Sequence, residues 1–110
     1  MAKLERAITG DFDEVLGRLE RAVLNGSMSA SLEDRSDFTV GPARVAVRMY
    51  ERYSALGGNR VDLSLTLAGE GDRLYLTAIT AGGSQAMFFK LNTWGEEAFL
   101  DTLAGEADRL

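Results

Sequence analysis

The sequence predicts an α+β domain over residues 1–110: a curved antiparallel sheet of five to six strands with two helices packed on one face, in the order β-α-β4(5)-α. Three observations carry this. Apolar residues recur at helical spacing near both ends of the chain. Several segments between them alternate apolar and polar with a period of two. Short glycine-containing loops separate those segments, and consecutive strands joined by short loops pair antiparallel.

Residues 2–9, AKLERAIT, read as a short strand. The next segment, GDFDEVLGRLERAVLNG, places Phe12, Val15, Leu16, Leu19, Ala22 and Val23 on one helical stripe. Asp11 is a natural N-cap, with Glu14 three positions on in the manner of a capping box. Asn25-Gly26 supplies the left-handed stop. From Ser27 the period becomes two: Met28, Ala30 and Leu32 alternate with Ser29, Ser31 and Glu33. The charged run EDRSD is expected to bend or interrupt that strand, and Gly41-Pro42 marks a turn.

Val45, Val47 and Met49 then form one apolar face, opposite Arg44, Arg48 and Tyr50. After SALGGN, Val61, Leu63, Leu65 and Leu67 give the cleanest strand. GEGD at 69–72 is a hairpin loop, and Leu74, Leu76 and Ala78 alternate with Tyr75, Thr77 and Ile79 beyond it. QAMFFKL has the aromatics of a last strand. TWGE reads as a second capping box, and Phe99, Leu103, Ala107 and Leu110 stripe the closing helix. Every strand has one apolar face and both helices one apolar stripe, so two layers suffice to bury them.

The composition narrows the chemistry. Apolar residues make up 45% and charged residues 26%, ordinary for a soluble globular protein. The chain has no cysteine and no histidine, so thiol chemistry and the commonest general base are both excluded. Carboxylates, lysines, tyrosines and serines remain, without a recognisable catalytic spacing, and no catalytic residue, metal site or cofactor is expected. A net charge of −5 disfavours nucleic acid. The N-terminus lacks the apolar core of a signal peptide, and no run reaches the ~20 apolar residues of a membrane span, so a cytoplasmic protein is expected.

Several residues are candidates for a site, each with a plainer account beside it. Gly82, Gly83, Ser84 and Gln85 could form a nest for an anion. However, strand-forming residues follow them rather than a helix N-terminus, so a tight turn is favoured. Strict alternation puts Glu51 on the apolar face with Val47 and Met49. A strand end, a bulge or an arginine partner would explain it, and a poised carboxylate in a pocket is the sharper alternative. Asp11, Asp13 and Glu14 could attract a cation, but capping and the helix dipole account for them. Arg44, Arg48 and Arg52 with Tyr50 resemble a nucleic-acid platform, yet Asp62 on the neighbouring strand offers simple cross-strand pairing. Tyr50, Tyr75, Ile79 and Phe88 are expected on the outer face of the sheet as an association patch. Trp94, at the start of the closing helix, is the candidate wall of a ligand pocket between that helix and the sheet.

The element order resembles the TBP-like and helix-grip folds, in which a long C-terminal helix lies across such a sheet. The phrases GDFDEVL, SASLED, VRMYERYS, GGNRVDLSLTL, AGGSQA and NTWGEEAFL are similar to a family of small bacterial proteins designated a domain of unknown function. That resemblance runs from about Gly10 to Leu103 and implies no activity, cofactor or catalytic residue. The expected function is a non-enzymatic domain that forms a homodimer or binds a protein through its outer sheet face. The alternative is an apolar small molecule held between sheet and closing helix.

Overall fold

The computed structural model describes residues 2–25, 30–53 and 60–82. Strand β1 (Ala2–Thr9) leads into helix α1 (Phe12–Asn25), followed by β2 (Ser31–Val40), β3 (Ala43–Tyr53), β4 (Arg60–Glu70) and β5 (Arg73–Gly82). All neighbours pair antiparallel in one sheet of order β1-β5-β4-β3-β2. The first two strands therefore occupy opposite edges, and α1 carries the chain between them across one face, here the inner face.

The expected architecture needs correction. The described residues form an open five-stranded sheet carrying one helix, not two helices on one face. The segments read as a sixth strand and a closing helix, 85–91 and 93–110, lie outside the described residues, as do Met28 and Ser29. A helical stripe says which side of a helix wants cover. It does not say where that helix docks, so the two-helix roof of the TBP-like and helix-grip resemblance is not supported.

Helix α1 forms where the sequence places it. The Asp11 side chain accepts a hydrogen bond from the Glu14 N–H at 3.0 Å, the geometry of an N-cap. Phe12, Val15, Leu16, Leu19 and Val23 are buried, and Ala22 is half-buried. They meet Val61, Leu63, Leu65 and Leu67 of β4, Leu74, Leu76 and Ala78 of β5, and Leu4 and Ile8 of β1 in one core. Gly69 lies where the helix starts, and a Cβ there would collide with Leu74 and come within 3.2 Å of Phe12. A bare α-carbon there leaves room for the Leu74 side chain and the Phe12 ring on the sheet.

Two short hairpins set the registers. Gly41 and Gly71 both have positive φ, 58° and 62°, at the first position of the two-residue loops Gly41-Pro42 and Gly71-Asp72. Glycine is the residue that takes this conformation without strain, and it matches the twist of the flanking strands. The hairpin 69–72 narrows accordingly, with Gly69 and Glu70 still in β4.

Strand β2 runs through EDRSD rather than stopping there. A register shift between Leu32 and Asp34 makes Glu33 a bulge, and the strand then continues to Val40. All ten of its residues are exposed. A sheet edge needs no alternation of apolar residues, and charges with a bulge keep such an edge from pairing with other chains.

Candidate interaction surface

The register between β3 and β4 decides which side chains meet the helix. Ala46 lies opposite Leu67, Arg48 opposite Leu65 and Tyr50 opposite Leu63, so these three face inward. Val45, Val47 and Met49 face outward, the reverse of the face assignment that hydropathy suggests. Two helical acids make this possible. Arg44 donates to both Asp13 carboxylate oxygens, at 2.9 and 3.2 Å, and its guanidinium stacks 4.2 Å from the Phe12 ring centroid. Arg48, only 2% exposed, donates from Nε to Glu20 at 2.8 Å, from Nη2 to Asp37 at 2.9 Å and from Nη1 to the Val47 carbonyl at 3.0 Å. A buried charge persists when it is paired and hydrogen-bonded in this way. The arginine hydrogen bonds hold the Asp13 and Asp37 carboxyls below the usual carboxylate range.

Tyr50 is therefore not an interface residue: it is fully buried on the inner face. Its hydroxyl has no hydrogen-bond partner among the described residues, and burial, with the Glu20 charge nearby, pushes its pKa up to about 12. The basic stripe is likewise no open platform, since Arg44 and Arg48 are engaged with the helix. Asp62 does not pair across to that stripe. It points outward, opposite Glu51.

Glu51 sits in an unbroken stretch of β3, half-buried on the outer face, with Arg60 Nη1 at 3.4 Å. Of its possible explanations, the structure gives it the arginine partner near the sheet's end. Gly82 ends β5 opposite Val61. Gly83, Ser84, Gln85, Phe88 and Trp94 lie outside the described residues. Among the described residues no group of three or more acidic side chains converges as a metal site, and no helix is long and apolar enough to cross a membrane.

Tyr75 and Ile79 do stand on the outer face and are exposed. They belong to a larger pattern. Read across the registers, Phe38, Val45, Ala68, Tyr75 and Ala7 form one apolar row that crosses all five strands. Two rows along the strands, Met49 and Ile79 flank Ser64. Val47 lies between the rows, and Phe38 and Tyr75 are each 47% exposed. The central strand β4 contributes only small or polar side chains here: Ala68, Thr66, Ser64 and Asp62. Near the β4–β5 hairpin lies a hollow of about 480 Å³, bordered by Ala7, Thr9, Ala43, Ala68, Arg73 and Tyr75. Sequence reading missed Val45, Val47, Met49 and Phe38 as members of this face. The available signal was the charge pattern: arginines four apart on a strand match acids seven apart on a helix, about 13 Å against about 10 Å.

A search of curated protein sequences finds no match to this chain. Among solved structures it is similar to TTHA0849 from Thermus thermophilus, at 15% identity and a TM-score of 0.28, covering 96% of this chain and 94% of that one. Similarity at that level carries no argument about shape or role. A family model matches residues 1–110 from end to end. The chain thus belongs to DUF6054, a family of unknown function.

Proposed function

We propose that this chain is a non-enzymatic association domain that binds a second copy of itself through the outer face of its sheet. The observation that carries the reading is the apolar row across all five strands, with Val47, Met49 and Ile79 beside it. Contiguous exposed apolar surface of this kind marks interaction sites. The whole outer face, five strands at ~4.8 Å and ten residues at ~3.3 Å, has a footprint of about 800 Å², polar positions included. A stable dimer buries about that much on each side. Edge-to-edge pairing is the poorer route, because β2 has a bulge and four charges and β1 carries Lys3, Glu5 and Arg6.

The test is the molar mass of the full chain by light scattering over a concentration series. The wild type is expected to approach twice its monomer mass. The double substitution Tyr75→Lys with Ile79→Lys is expected to stay monomeric with unchanged circular dichroism. A wild type that remains monomeric at the highest concentration overturns the proposal.

One observation favours a second reading, an apolar ligand held between sheet and helix: the buried Tyr50 hydroxyl without a partner among the described residues. Against it, Leu63, Leu65, Leu67 and Leu76 have no exposure and fill the inner face themselves. A thermal-shift screen with lipids and aromatic metabolites separates the two, since only the ligand reading predicts a hit that Tyr50→Phe weakens.

A further inference from the structure

We infer that two copies dock face to face about a two-fold axis running along β4, with Phe38 and Val40 of each copy entering the hollow beside Ala7 and Thr9 of the other. The inference rests on the self-association reading above. β4 is the central strand of the order β1-β5-β4-β3-β2. An axis along it lays β3 over β5 of the second copy and β2 over β1, so all five strands overlap. Face-packed sheets lie ~10 Å apart with strands ~30° off parallel, which puts the axis within about 15° of β4.

The registers then dictate the partners. In the row Phe38, Val45, Ala68, Tyr75, Ala7, Phe38 meets Ala7 and Val45 meets Tyr75. In the row Asp34, Met49, Ser64, Ile79, Lys3, Met49 meets Ile79 and the Asp34 carboxylate meets the Lys3 ammonium. In these two rows the large Phe38 faces the small Ala7, apolar faces apolar, and acid faces base. Val40 is one alternation beyond Phe38 on the same face and 65% exposed. It comes over Thr9, at the border of the 480 Å³ hollow. The two most protruding apolar groups of β2 thus reach the hollow that alanines leave at β1, β4 and the start of β3, where Glu70 and Arg73 stand at its border.

The other two-fold that overlaps all five strands runs across them, through Val47 and Thr66. It sets Phe38 over Asp34 and Ala7 over Lys3, apolar against charged, and although it also matches Val45 with Met49 and Tyr75 with Ile79, it brings Lys3 to the hollow in place of Phe38 and Val40. The favoured axis has two unfavourable contacts, since Asp62 and Glu70, both outward on β4, each approach their own copy. Removing either charge is expected to tighten the dimer.

The absence of cysteine gives a clean test. Phe38→Cys and Ala7→Cys chains are mixed and treated with a short bifunctional maleimide, and the parallel mixture is Phe38→Cys with Asp34→Cys. Cross-linking is expected in the first mixture only and not in Phe38→Cys alone. Cross-linking of the second mixture, or of Phe38→Cys alone, overturns this arrangement and leaves face association standing. A wild type that is monomeric by light scattering overturns both. A charge exchange provides a check independent of cysteine chemistry. Asp34→Lys and Lys3→Asp should each weaken the dimer about five- to tenfold, and the two together should restore it. Failure of the double variant to recover also overturns the arrangement.

Discussion

The two faces of this sheet are built from the same strands and differ in what neutralises them. The inner face is leucine and valine from β4 with leucine and alanine from β5, closed by α1, and it holds the deeply buried Arg48 guanidinium tied to carboxylates on either side. The outer face carries valine, methionine, tyrosine and isoleucine, and α1 does not lie on it. Counted by side-chain type alone, the outer face of β3 is the oilier of the two. The inner face won because β3 must follow the register of its hairpins, and because Asp13, Glu20 and Asp37 stand where its arginines need them. Hydropathy ranks faces, whereas pairing geometry and charge complementarity choose between them.

That comparison can be broken most severely at the ion cluster. The double variant Glu20→Ala with Asp37→Ala leaves the Arg48 charge buried and uncompensated, and should cost about 3–5 kcal/mol in denaturant unfolding. Arg48→Met removes the charge itself. The carboxylates left behind reach water, with 27% and 47% side-chain exposure. Its cost should be about 1–2 kcal/mol. Equal losses from the two variants would show that the guanidinium is a packing spacer and not a charge that needs its partners.

Titration sharpens the same contrast more gently. The folded protein holds the Tyr50 phenol up to about 12, above its ordinary value of 10.0. A raised folded pKa means that the neutral form is the one folding favours. Its stabilising contribution is complete below pH 10 and fades as the pH rises toward 12. Phenolate absorbance should therefore include a late-ionising step, and Tyr50→Phe should remove it. On the acid side, Asp13 and Asp37 are held below 3.8, so their contribution is present above that value and disappears as the pH drops through the lowered folded values. A late step that survives Tyr50→Phe would reverse the assignment of faces.

Much of this was legible before the structure. The α1 stripe and its cap came from local spacing, and the inward leucines of β4 and β5 from strict alternation. Tyr75 and Ile79 followed from the same alternation. The inversion of β3 was not legible by alternation, because its deciding contacts join residues 11, 28 and 31 positions apart. Tyr50 was lost to the outer patch for that reason, while Val45, Val47 and Met49 belong to it. Strand β2 hid behind its charges: an edge strand with all residues exposed has no apolar rhythm to read. Glu51 looked anomalous only while its face was taken as the core. On the outer face beside Arg60 it is an ordinary half-buried ion pair.

Self-association is proposed for the outer face of the sheet, where Met49 and Tyr75 are exposed. Hydroxyl-radical oxidation of Met49 and Tyr75, followed by mass spectrometry as concentration rises, tests it most directly. Both residues should become protected in step with the increase in molar mass, while Leu24, exposed on α1, keeps its rate. Unchanged rates at Met49 and Tyr75 through that increase, or protection at Leu24 instead, would place the contact elsewhere and contradict the account.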